Sequence, residues 1–213
     1  MELLIEQWGG HCVVNDVKQA DLNESATKSK YKKPGLYIEG VFLQAEVVNR
    51  NKRLYPKSVL KKAVDDYIRE QVRTNQALGE LNHPPRANVD PLHAVILIED
   101  MWWQGNNVYG RAKVIEGDKG PGDKLAALIR AGWVPGVSSR GLGTVSPSHD
   151  GINIVQEGYK LTVGVDVVWG PSAPDAHVKS FVNEVADGSS ANTSINEAFT
   201  EAIERLNSLT TVK

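Results

Sequence analysis

The chain has 213 residues, 41% of them hydrophobic, which suits a single domain, or one domain with an appendage, and a real core. Its 24 basic and 26 acidic residues leave a net charge of −2, which argues against a nucleic-acid partner, because such proteins carry a strongly basic face. No apolar run nears the roughly 20 residues that span a bilayer, no basic-then-apolar leader opens the chain, and the single cysteine, Cys12, excludes an internal disulfide and suits a reducing compartment.

The first element is a short strand over "LLIEQW", Leu3 to Trp8. Residues 15–34 are polar with few apolar anchors, so a long loop or flexible segment is expected there. Residues 35–49 are β-rich, with Gly40 as a bend. Residues 56–72 form a helix, because Val59, Leu60, Ala63, Val64, Tyr67, Ile68 and Val72 recur at 3.6-residue spacing. "HAVILIEDMWW" and "NVYGRAKVIE" flank "QGNN", which reads as a hairpin turn. A short helix over 122–132 stops at Gly132. From Val134 to Trp169 the pattern is β again.

After Pro174 the texture changes. "ADGSSANTS" is a linker by composition. A final helix follows, with Ile195, Phe199, Ala202, Ile203, Leu206 and Leu209 on one side and a capping box of Ser194 with Glu197. The expected division is therefore a domain over 1–186 and a removable appendage over 187–213. The expected fold class is α+β, a β-barrel or tightly curled sheet with flanking helices.

Candidate chemistry centres on "WVPGVSSRGLGTV", Trp133 to Val145. Two serines lie among glycines, which admit a substrate backbone and let N–H groups point outward. A serine becomes a nucleophile only with a base, a group that orients the base, and donors for the oxyanion. Of the five histidines, His83 stands out. "LGELNHPP" places it at a strand end, before two prolines that stiffen the exit. His93, which opens the next strand, competes for the role. Asp166 lies in "TVGVDVVW", inside a strand where acids are depleted and costly to bury unpaired. It is the acid expected to orient a histidine. "GDKGPGDK" lacks the Lys-Ser/Thr pair of a phosphate loop, and no His, Cys or carboxylate spacing suits a metal, so no cofactor or metal is expected.

"NRNKRLYP", "LGELNHP", "GVSSRG" and "DVVWGPSAPDA" together resemble the prohead core proteases of T-even-type tailed phages, over residues 35–176. The resemblance implies a serine endopeptidase that matures phage capsids, with a herpesvirus-assemblin-like β-barrel core. More distant phage proteases carry an apolar residue, the nucleophilic serine, another apolar residue and glycine. Laid onto "VSSR", that pattern puts the nucleophile at Ser138, with Arg140 in the glycine position. The family histidine falls on His83. The acid falls on Asp166, although the herpesvirus enzymes use a second histidine as third member. The N–H groups of Ser139 and Arg140 are the expected oxyanion donors, and the Arg140 guanidinium suits a substrate carboxylate.

The family cuts after Glu, with Leu or Ile two residues earlier. Three bonds in this chain fit: Glu197–Ala198 in "INEA", Glu24–Ser25 in "LNES" and Glu6–Gln7 in "LIEQ". They suggest a zymogen that trims itself, with the final helix as an inhibitory or docking appendage. The implied substrates are capsid and scaffold-core proteins, and the implied place is the prohead in the cytoplasm of the bacterial host. No nucleic acid or membrane partner is expected, and a homo-oligomer is left open. The competing readings are a non-enzymatic barrel of the capsid core or a phage tube, and a small-molecule hydrolase.

The cleavage pattern predicts that an Ile-Asn-Glu-Ala peptide is cut and that its Gln counterpart is cut far less. Chromatography of the two digests checks this, and equal rates would remove the preference for an acid before the cut.

Overall fold

A computed structural model describes residues 1–8, 13–17 and 33–169. The strands are β1 (Glu2–Trp8), β2 (Val13–Val17), β3 (Gly35–Gln44), β4 (Arg53–Leu54), β5 (Leu78–Glu80), β6 (Ala94–Gln104), β7 (Asn107–Val114), β8 (Gly136–Gly143), β9 (Val145–Pro147), β10 (Asn153–Val155) and β11 (Lys160–Val168). The helices are α1 (Lys57–Tyr67), which continues into a π turn (Ile68–Val72), and α2 (Pro121–Arg130). The order is β2-β3-β7-β6-β5 in the largest sheet, β1-β8-β11 in the second and β4-β10-β9 in the third. The fold is thus mixed, mostly strands with few helices.

The expected elements fall close to their places. Leu60, Ala63, Val64 and Tyr67 bury one face of α1, and Val72 extends it through the π turn, where the Arg73 N–H reaches the Ile68 carbonyl at 2.9 Å. β6 and β7 pair up to Gln104 and Asn107, leaving a two-residue loop whose Gly105 has φ +62. Gly132, at φ +92, ends the α2 segment. Buried residues of the largest sheet, among them Ile38, Phe42, Ile96 and Ile98, pack with Leu60 and Val64 of α1, with Leu125 and Ile129 of α2, and with Val137, Val165 and Val167 of the second sheet.

Three expectations change. Gly40 is not a bend: it pairs with Gly110 inside the ladder, and the irregularity falls between Val41 and Leu43. The start of the polar segment, residues 15–17, belongs to β2 (Val13–Val17), which pairs with β3, so sheet pairing overrides the expected loop there; residues 18–32 lie outside the described residues, as do the linker and helix expected over 187–213. Finally, no continuous ladder closes a barrel among the described residues. The two larger sheets share a single backbone bridge, Leu81 to Val167.

That seam brings the site together. The Asn82 N–H donates to the Val167 carbonyl at 2.8 Å. At Gly79, an added Cβ would lie 2.2 Å from the Val165 carbonyl oxygen and 2.9 Å from Ile96 Cγ1, so β5 and β11 approach this closely only without a side chain there. Gly79→Ala is therefore expected to lower stability by about 1–3 kcal/mol, seen as a lower urea midpoint. It should also loosen the His83–Asp166 contact, because it pushes apart β5, which leads into the His83 loop, and β11, which carries Asp166. An unchanged midpoint would show that the seam yields freely.

Candidate active site

β8 is the central strand of its sheet, with β1 on one side and β11 on the other. Side chains alternate across a strand, and directly opposed residues share a face. Ser138 is opposite Asp166 of β11, and Arg140, two residues on, shares that face. Ser139 is opposite Glu6 of β1 and takes the other face, beside the Tyr159 phenol. The ladder with β11 breaks at this point: Gly164 and Val165 together face the single residue Ser139.

The Asp166 carboxylate is fully buried and shared by several groups. Its Oδ1 accepts the Glu80 N–H at 2.9 Å and Arg140 Nη2 at 2.9 Å. Its Oδ2 lies 3.2 Å from His83 Nδ1. Arg140 Nε is 2.6 Å from the same oxygen, an ion contact whose N–H is not aligned for a hydrogen bond. With Nδ1–H given to the carboxylate, His83 Nε2 carries the lone pair a base needs. Nε2 is buried and has no hydrogen-bond partner. The Ser138 hydroxyl is donated to the Glu6 carbonyl at 2.7 Å. His83 and Ser138 therefore both flank Asp166 but are not hydrogen-bonded to each other.

The two candidate histidines have different partners, and His83 is the one that meets Asp166. His93 is exposed and lies 3.0 Å from Asp90, away from Asp166. His149 is exposed. His11 and His177 lie outside the described residues. Among the described residues no cluster of His, Cys, Asp and Glu is placed to hold a metal.

Several expectations are corrected. The Arg140 guanidinium is not open to a substrate carboxylate. It is fully buried, donates to Glu80 Oε2 at 2.6 Å and to the carbonyls of Arg86 and Asn88 at 2.8 and 3.1 Å, and contacts Asp166. The Glu6–Gln7 bond is not an accessible cut site in the folded chain. It lies in β1, paired with β8, and the buried Glu6 carboxylate accepts from Asn49, Asn51, Arg53 and Tyr55. Gly141 and Gly143 do not make room for a substrate backbone. A Cβ at Gly141 would lie 2.4 Å from the Tyr159 hydroxyl, and one at Gly143 3.0 Å from its ring, so these glycines accommodate Tyr159. The cut sites at Glu24–Ser25 and Glu197–Ala198 lie outside the described residues.

One residue escaped the sequence reading. Glu80 is buried and binds Arg140, the Arg86 guanidinium and the Asp90 N–H. The signal that picked out Asp166, an acid inside an apolar strand, was present in "ALGEL" as well.

A family model described as prohead core protein serine protease matches residues 3–188. The prohead core protein protease of Enterobacteria phage T4 is 62% identical over 207 residues, covering 96% of each chain. A solved structure of the bacteriophage T4 capsid assembly protease, gp21, is similar with a TM-score of 0.72 and 67% identity. That similarity covers 80% of this chain and 98% of the other.

The geometry around Asp166 generates a test. Asp166→Asn presents an amide that can donate where His83 Nδ1–H must be accepted, which favours the wrong tautomer. The expected outcome is a loss in kcat on the order of 10³–10⁴-fold, measured by peptide cleavage. A loss of only a few-fold would mean that Asp166 does not orient the imidazole.

Proposed function

The chain belongs to the prohead core protein serine protease family, and on that premise we propose that Ser138 is its nucleophile, His83 its base and Asp166 the group that orients the base. The chain is a capsid assembly protease of the serine type. The observation that carries the residue assignment is the register: Ser138 opposes Asp166, whose Oδ2 meets His83 Nδ1, whereas Ser139 takes the other face.

In the proposed reaction the Ser138 hydroxyl turns from the Glu6 carbonyl toward His83 Nε2, a rotation about χ1. Oγ attacks the scissile carbonyl as Nε2 takes its proton, and Asp166 stabilises the imidazolium. The imidazolium then protonates the leaving amine, and water releases the acyl group by the same route. The N–H groups of Ser139 and Arg140 are the proposed oxyanion donors; the ladder break opposite Ser139 supports this, because strand pairing is least regular there. Arg140 enters this role through its backbone only.

The proposed substrates are capsid and scaffold-core proteins, cut after Glu inside the prohead in the host cytoplasm. Cleavage after Glu rests on the family resemblance and on the fitting bonds in this chain. The chain is proposed to be a zymogen that trims itself at Glu197–Ala198 and Glu24–Ser25, with a homo-oligomer as its working form left to measurement. No helix among the described residues is long and apolar enough to cross a membrane. A herpesvirus-assemblin-like barrel is the finer fold reading, supported by the resemblance and by the Leu81–Val167 bridge between the two larger sheets.

Mass spectrometry of the purified chain over time tests the assignment. Wild type is expected to lose discrete fragments at Glu197 and Glu24 while the Glu6–Gln7 bond stays intact. Ser138→Ala should abolish the trimming, and Ser139→Ala should leave much of it. Trimming at the wild-type rate in Ser138→Ala would move the nucleophile elsewhere.

A further inference from the structure

We infer that Arg140 is a positioning residue for this reaction: anchored by Glu80, its guanidinium holds both the Asp166 carboxylate and the backbone of the loop that carries His83. The inference rests on the assignment of Ser138, His83 and Asp166 and gives Arg140 a role distinct from its backbone N–H.

Arg140 is fully buried, and its fork is divided between two tasks. Nη2 donates to Glu80 Oε2 at 2.6 Å and to Asp166 Oδ1 at 2.9 Å. Nη1 donates to the carbonyls of Arg86 and Asn88 at 2.8 and 3.1 Å. The first task fixes the carboxylate that meets His83. The second fixes the chain three and five residues past His83. That loop runs from the end of β5 to β6 through Pro84 and Pro85, which have no N–H to offer. It is tied down from outside instead. Its start is held by the Asn82 N–H on Val167 O, and its end by the Asp90 N–H on Glu80 Oε1 at 3.3 Å.

Arg140 stands two residues after Ser138 on the same face of β8. One strand therefore sets the position of the hydroxyl, the acid and the histidine loop together. Glu80 is the counter-ion that makes the arrangement possible. With Arg86, which also pairs with Glu80, the cluster holds two cations and two carboxylates beside the His83 imidazole. A lysine in place of Arg140 keeps the charge but lacks the planar fork, so it cannot hold two carboxylates and two carbonyls at once.

Replacing a buried ion pair by apolar side chains of similar volume is often neutral for stability, whereas removing one partner is not. Removing Glu80 and Arg140 together avoids stranding Glu80, but Asp166 then keeps only the residue-80 N–H and His83 as partners, so the folded fraction is measured first. In the double variant Arg140→Met with Glu80→Met, and separately in Arg140→Lys, three quantities are to be measured per folded molecule: kcat and KM on a peptide, the rate at which a fluorophosphonate labels the serine, and the low-field proton resonance of the His83 Nδ1–H. Both variants are expected to lose kcat, by about 100-fold in the double variant as for a displacement near 1 Å, with KM unchanged. Labelling should slow in parallel, and the Nδ1–H resonance should shift or broaden. A double variant that folds and labels at the wild-type rate overturns the inference. If the double variant does not fold, Arg140→Lys decides: full kcat there overturns it, and slow labelling with unchanged KM sustains it. Ser138→Ala is the control for the underlying assignment. If that variant still labels at its normal site, the nucleophile assignment fails, whatever the Arg140 variants do.

Discussion

A buried guanidinium between two buried carboxylates is the constraint around which this protein is arranged. Arg140, Glu80 and Asp166 are all nearly or fully removed from solvent, and each would be costly there alone. They come from β8, β5 and β11, so burying any one requires the other two strands to arrive in register. The close approach of β5 to β11, which leaves no space for a side chain at Gly79, is the backbone side of the same requirement. The bridge between the two larger sheets, Leu81 to Val167, lies beside it. Charge pairing and strand proximity thus specify one another at the place where His83 leaves β5.

The two faces of β8 do different work. One carries Ser138 and Arg140 toward Asp166 and His83. The other carries Ser139, Gly141 and Gly143 toward Tyr159, whose ring also meets Tyr55 edge-on at 5.2 Å. Burial pushes the phenols of Tyr55 and Tyr159 well above their ordinary range, so both stay neutral, and Tyr55 donates to Glu6 at 2.9 Å. Burial is the largest single influence on Arg53 and works against its charge, but the hydrogen bond and charge of Glu6, with Tyr55 and Glu2 nearby, together raise its pKa. Glu6 is thereby a third buried acid held by neutral and cationic donors; its carboxylate ties β1 to residues 49–55, while backbone pairing holds β1 to β8. That pairing has a consequence for chemistry, because the carbonyl of Glu6 takes the Ser138 hydroxyl. The Ser138 hydroxyl is thus engaged by a backbone carbonyl and has no hydrogen bond to His83.

The local pattern of the chain already contained much of the frame. The spacing of Leu60, Val64 and Tyr67 gave a helix face, "QGNN" gave a hairpin, and an aspartate inside "TVGVDVVW" marked a buried carboxylate in need of a partner. Periods of 3.6 and 2 residues, and the cost of an unpaired buried charge, are properties of a short stretch of chain and can be read from it. The prolines after His83 likewise marked a stiff loop without naming what holds it.

Pairing was decided elsewhere. Nothing in "VSSR" by itself says which serine faces the acid; the register of β8 against β11 and β1 does, and that register depends on residues outside the stretch, Asp166 of β11 and Glu6 of β1. The same sequence left Arg140 facing a substrate carboxylate as reasonably as two internal ones, left Glu80 unnoticed, and left Glu6 as a bond to be cut when it is a buried acid in a central ladder. The glycines beside the serines suggested room for a substrate, and the fold filled that room with Tyr159. Sequence fixes which groups must find partners, because that depends on residue type and local period; tertiary structure alone chooses the partners, because strand register and the closure of charged clusters are non-local.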